Sequence, residues 1–169
     1  MPPTRSRARR PPRSTPLLQS RDFTAYLREK SAEIAPGDVE TLVEQVQLTV
    51  ERGRQELRER PRLLRQLELA ARLLDDHASE LCPQIPYHTV SLLAVAMLYY
   101  MDPLDVIPDW LPGVGRSDDA LVFELAFELG RAGIERYCAF KSIPTDGLLP
   151  TPRVAASRAA RRTAPRKKR

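Results

Sequence analysis

Two cysteines, seven glycines and one tryptophan in 169 residues leave several chemistries without their raw material. Cys82 and Cys138 lie far apart and form no CxxC pair. No disulfide framework is written in the chain, and a reducing compartment with two small buried thiols is the expectation. There is no Gly-rich phosphate loop and no GxSxG elbow. Nothing pairs a nucleophile with a base at recognisable spacing. His77, Cys82 and His88 lack a fourth ligand and the spacing of a zinc finger. Asp75-Asp76-His77 is expected to be solvated polar surface at a helix end. No cofactor and no small-molecule substrate can be named. Strand-period alternation is almost absent, and no apolar run reaches the roughly 20 residues of a membrane span. The opening MPPTRSRARRPPRSTP has basic residues but no apolar stretch behind them, so it is not read as a signal peptide.

Acid is also scarce, but only at the two ends. Residues 1–21 hold six arginines and no acid, and residues 141–169 hold nine Lys/Arg against Asp146. With a total of +5, the middle, 22–140, is net −9. An acidic domain thus stands between two basic arms, and any contact with polyanions belongs to the arms. Their Arg, Pro and Ser content cannot bury enough surface to offset chain entropy. Residues 1–19 are therefore expected to be a disordered basic arm, 20–141 a helical domain and 142–169 a disordered basic tail. Arg5, Arg7, Arg9, Arg10, Arg161, Arg162, Lys167 and Lys168 are the expected contacts to anionic lipid, or to nucleic acid weakly and without sequence preference. Basic residues without interleaved aromatics neutralise phosphates but cannot stack on bases.

What fills the middle is helical periodicity. Ser20 can cap a short helix carrying Phe23, Tyr26, Leu27 and Ile34. Pro36-Gly37 breaks it, and Asp38 can cap the next, where Val39, Leu42, Val43, Val46, Val50 and Leu57 keep helical spacing. Pro61 suits the first turn of a third helix, with Leu63, Leu64, Leu67, Ala70, Ala71, Leu74, Ala78 and Leu81 as its apolar set. YHTVSLLAVAMLYYM, residues 87–101, is apolar almost all round, and its length fits a buried central helix or a re-entrant segment better than a full span. A last long helix, 118–140, carries Glu124, Glu128, Arg131 and Glu135 as one narrow polar stripe. The expected fold is all-α, a small bundle of four to five helices.

Between the last two helices lies a stretch of proline and aspartate, DPLDVIPDWLPGVGRSDD. Pro103 cannot continue the preceding helix, Pro108 and Pro112 fix further turns, and the chain should make a stiff corner plugged by its apolar residues. Asp118 can cap the last helix, and Asp102, Asp105 and Asp109 can accept from turn amides. A hard-cation site on Asp105, Asp109, Asp118 and Asp119 is the less favoured reading, because the spacing matches no EF-hand loop.

Tyr99, Pro103, Asp105, Ile107, Pro108, Asp109, Pro112, Gly115, Asp118 and Asp119 together resemble the hallmark of the YkvA-like family, a domain of unknown function (1232). The resemblance covers about residues 87–130. Asp102 stands where the family more often has a small residue, and Arg116 where an apolar or aromatic one is common, which makes this corner more polar. The resemblance implies a small helical domain, often membrane-associated and found beside a RING-type ubiquitin ligase in animal endomembranes. It implies no established activity and no catalytic residues. The expectation is a membrane-associated interaction module, with the apolar hairpin 87–101/118–140 in or on the bilayer. A soluble cytoplasmic bundle whose arms meet nucleic acid or an acidic partner is the alternative, and a metal-dependent enzyme ranks last.

Overall fold

Proline, glycine and helical spacing together set the element boundaries. The computed structural model describes residues 20–82, 85–101 and 117–150; the side chains of residues 20–22 are not among those described. Within them lie six α-helices: α1 (Ser20–Glu33), α2 (Pro36–Glu56), α3 (Pro61–Ala78), α4 (Tyr87–Met101), α5 (Ser117–Leu129) and α6 (Arg131–Lys141). The all-α bundle expected from the sequence is the fold observed.

Pro36 and Pro61 each open a helix, where the missing proline N–H has no intrahelical partner to lose. Asp38 caps α2 from inside its first turn: the Ala35 amide donates to Asp38 Oδ2 at 2.8 Å, and the Asp38 amide donates back to the Ala35 carbonyl at 3.0 Å. α1 begins at Ser20 itself. α2 buries Val39, Leu42, Val46 and Val50, one row at i, i+3, i+7, i+11. The row continues to Gly53, whose absent side chain admits Leu67 of α3; a Cβ there would meet Leu67 Cδ2 at 2.4 Å.

α4 is the axis of the bundle and packs against each of the other five helices. Residues 89–97 are all buried, and Tyr100 is buried beside them. Over residues 89–97 the apolarity of this helix is therefore met by protein on all sides, while Tyr87 and Leu98 are exposed. Among the described residues no helix is long and apolar enough to cross a membrane.

The single long helix expected over 118–140 is two helices. α5 stops at Leu129, Gly130 lies between, and α6 starts at Arg131. The break lets the chain come close to α4: a Cβ at Gly133 would lie 2.2 Å from Thr89 Oγ1, and one at Gly130 would lie 3.3 Å from Thr89 Cγ2. A continuous helix with side chains at both positions could not approach Thr89 this closely. The break also divides the expected polar stripe. Glu124 turns to Arg62 of α3, with Arg62 Nε 2.7 Å from Glu124 Oε1, while Arg131 and Glu135 pair within α6 at 3.3 Å.

α3 and α6 end alike. In each, a non-glycine residue takes the left-handed conformation, Glu80 at φ 56° and Ser142 at φ 55°. The amide one residue on reaches back over a turn, Leu81 to the Asp76 carbonyl at 2.8 Å and Ile143 to the Cys138 carbonyl at 2.8 Å. Leu81, read as part of the α3 apolar row, lies past this reversal and is exposed. Beyond α6 the chain keeps packing. Residues 142–150 form a strap along α3, with Leu148 and Pro150 buried. Gln66 Nε2 donates to the Leu148 carbonyl at 3.1 Å, and Arg131 donates to the carbonyl of Pro150. These residues lie in the stretch that composition assigns to the basic tail.

Candidate functional site

The hallmark stretch begins at the end of α4 and finishes in the first turn of α5, so the structure describes its two flanks. Tyr99 is held at the α4 end by edge contacts to Phe23 and Tyr26 of α1, with ring centroids 6.1 and 5.9 Å away. Its hydroxyl donates to Asp118 Oδ2 at 3.0 Å. Asp118 is 3% exposed and Asp119 is 0% exposed. Ser117 is the first residue of α5, so Asp118 stands inside the first turn and does not cap from outside as expected. The position still favours a negative charge, because unpaired amides and the helix dipole point at it. Arg60, just before α3, donates from Nη2 to Ser117 Oγ at 3.3 Å. Arg62 Nη2 donates to Glu124 Oε2 at 2.9 Å, about two turns further along α5. This end of the molecule thus joins α3, α4 and α5 through polar contacts around two buried carboxylates, and α1 packs on it through the rings of Phe23 and Tyr26.

Of the ten hallmark residues, Tyr99, Asp118 and Asp119 are brought together here. Pro103, Asp105, Ile107, Pro108, Asp109, Pro112 and Gly115 lie outside the described residues. Asp102 and Arg116 lie outside them as well, as do the basic positions Arg5, Arg7, Arg9, Arg10, Arg161, Arg162, Lys167 and Lys168. Among the described residues no group of three or more His, Cys, Asp or Glu could hold a metal ion. His77, Cys82 and His88 form no such group, and Cys82 and Cys138 are both free and buried.

A second polar cluster sits at the opposite end of α4, and the sequence reading placed it on the surface. Asp76, in the last turn of α3, is 7% exposed. It accepts from Tyr137 Oη at 2.6 Å and from Lys141 Nζ at 2.8 Å. Burial pushes the Asp76 carboxyl up, but hydrogen bonds from Lys141 and Tyr137, with the charges of Lys141 and Arg72, outweigh it and hold the carboxyl below its ordinary range. Tyr137 is pushed far above an ordinary phenol, first by burial and then by its bond to the carboxylate. Burial likewise raises the Cys82 and Cys138 thiols, so neither is an activated nucleophile. The signal for this cluster was present: Leu69, Leu73 and Asp76 stand at i, i+4, i+7, so Asp76 continues a core-facing row of α3. Neither cluster pairs a nucleophile with a base. What both do is anchor helix ends.

Comparison with known proteins finds relatives for the α4–α5 part. Residues 89–125 match a family described as "Protein of unknown function (DUF1232)". Over 55 residues the chain is 40% identical to the "Uncharacterized membrane protein YkvA" of Bacillus subtilis (strain 168), which covers 32% of this chain and 52% of that protein. The chain thus matches about half the length of this curated relative. No solved structure matches. The shared stretch runs from Thr89, where α5 and α6 meet α4, to Leu125 beyond the buried acid pair. From the core of α4 into α5, then, this protein is similar to the DUF1232 family, whose model it matches over residues 89–125.

Proposed function

We propose that the protein is a membrane-associated helical module, held at the bilayer surface and not threaded through it. The observation that carries the reading is the 40% identity, over 55 residues, to a relative named as a membrane protein. The manner of attachment follows from packing. α4 is the chain's most apolar helix, yet residues 89–97 are buried against other helices, so exposing them to lipid would dismantle the core. The basic arms then become the means of attachment, since each Lys or Arg near an anionic surface contributes about 1 kcal/mol. The folded part presents the arms and whatever protein partner the module engages.

Fractionation of cells expressing the full chain tests this. The protein should sediment with membranes at low salt and be released by a high-salt wash. Resistance to both salt and alkaline carbonate would mean insertion and would overturn surface attachment. Recovery in the soluble fraction at low salt would overturn membrane association itself.

A further inference from the structure

The strap 142–150 does not lie flush on α3. Between them is an open cleft of about 480 Å³, in the range of small-molecule sites. Its α3 wall is one stripe of that helix, Arg65, Glu68, Leu69 and Arg72, at i, i+3, i+4, i+7. The strap adds Ile143 and Leu148 as apolar wall, with Asp146 at the rim.

The cleft is lined by two arginines and two acids, but one of the acids is already engaged from outside. Glu68 is neutralised from outside it by Arg54, whose Nε lies 2.8 Å from Glu68 Oε1. Arg65 donates to the strap carbonyls of Asp146 and Gly147, both at 3.4 Å, and so ties the strap down. Arg72 forms no ion pair or hydrogen bond among the described residues. Its charge acts on Asp76, which Lys141 already holds at 2.8 Å. Arg65 and Arg72 against Asp146 leave one net positive charge in the cleft, carried by the exposed guanidinium of Arg72. Seven helical residues rise about 10.5 Å, so Arg72 stands at one end and Arg65 at the other, with Leu69 between them.

We propose that this cleft binds an amphiphilic monoanion: a carboxylate or phosphate head on Arg72, with an apolar chain laid over Leu69, Ile143 and Leu148. Guanidinium recognises both heads through paired donors. The apolar wall selects against small inorganic anions. The inference depends on the fold of α3 and the strap alone, and stands or falls separately from attachment to membranes.

Calorimetric titration of the full chain tests it with four probes below their aggregation concentrations: decanoate, decyl phosphate, decanol and inorganic phosphate. Decanoate and decyl phosphate should bind, and decanol and inorganic phosphate should bind at least tenfold more weakly. Arg72→Gln, an exposed position whose change leaves the core untouched, should weaken decanoate and decyl phosphate at least tenfold. Ile143→Asp, which sets a second anion in the wall, should weaken them while leaving the circular dichroism spectrum unchanged. Absence of binding by both amphiphiles, equal binding of decanol, or unchanged affinity in Arg72→Gln would each overturn the proposal. Sedimentation with phosphatidylglycerol vesicles then separates the sources of the head group. Loss of vesicle binding in Arg72→Gln together with loss of decanoate binding assigns the head to a bilayer lipid. Loss of decanoate binding alone assigns it to a free amphiphile.

Discussion

Asp118 and Asp76 are both buried aspartates on helices, at opposite ends of α4, and the helix ends they occupy carry opposite dipole charge. Asp118 lies in the first turn of α5, where the helix dipole already favours an anion, and a neutral phenol, Tyr99, is among its partners. Asp76 lies in the last turn of α3, where the dipole opposes it. It is held by a cation, Lys141, as well as by a phenol, Tyr137. The end of the helix on which a carboxylate is buried thus decides what its surroundings must supply. Lys141 is the last residue of α6 and immediately precedes the strap, so the demand made by Asp76 also fixes where the strap begins.

The sharpest way to break this contrast is to remove the cation. Lys141→Met leaves a carboxylate buried at the wrong end of a helix and should cost about 3 kcal/mol in chemical denaturation. Adding Asp76→Leu should restore part of that loss, because no buried charge then remains without a counter-charge. Equal stability of wild type and Lys141→Met would show that Tyr137 alone suffices, and the contrast with Asp118 would disappear. At the other end, Asp118→Ala should cost about 1–3 kcal/mol, from the lost hydrogen bond of Tyr99 and the lost first-turn charge. Tyr99→Phe should cost less, about 1 kcal/mol, since the helix terminus still favours Asp118. A larger loss for Tyr99→Phe than for Lys141→Met would invert the ranking and refute the dipole argument.

The pH dependence of stability sharpens the comparison further. The Asp76 carboxyl lies below its unfolded value of about 3.9, so its stabilisation is complete above that value and is lost as pH falls toward the folded one. Tyr137 lies above its unfolded value of about 10, so its contribution is complete below that pH and declines as pH rises beyond it. Melting curves should show both limbs, with the acid limb shallower in Asp76→Asn and the alkaline limb shallower in Tyr137→Phe. An alkaline limb unchanged in Tyr137→Phe would assign it to the raised thiols Cys82 and Cys138 instead. The smallest effect concerns the reversal that follows Asp76. Glu80→Gly removes a side chain from a left-handed position and should stabilise by about 0.5–1 kcal/mol, read as a raised Tm. Loss of stability there would mean that the Glu80 side chain contributes more than its backbone costs.

The sequence by itself determined the helical class, the openings of α2 and α3 at Pro36 and Pro61, and the rows of Val39–Val50 and Leu63–Leu74 that face the core. These follow from local rules: a proline tolerates only a first turn, and apolar residues at helical spacing make one face. The hallmark was legible as a pattern, and of its members Tyr99 and Asp118 are in contact. Tertiary structure alone decided the rest. Whether the apolar run 87–101 meets lipid or protein depends on how many helices surround it, and five do. Gly130 and Gly133 could both have been tolerated inside one helix; the break falls at Gly130, and Gly133, inside α6, lies against Thr89. Asp76 could be a surface residue or a buried anchor by spacing alone. The difference lies in Tyr137 and Lys141, more than sixty residues away in sequence, which only folding brings within hydrogen-bond reach.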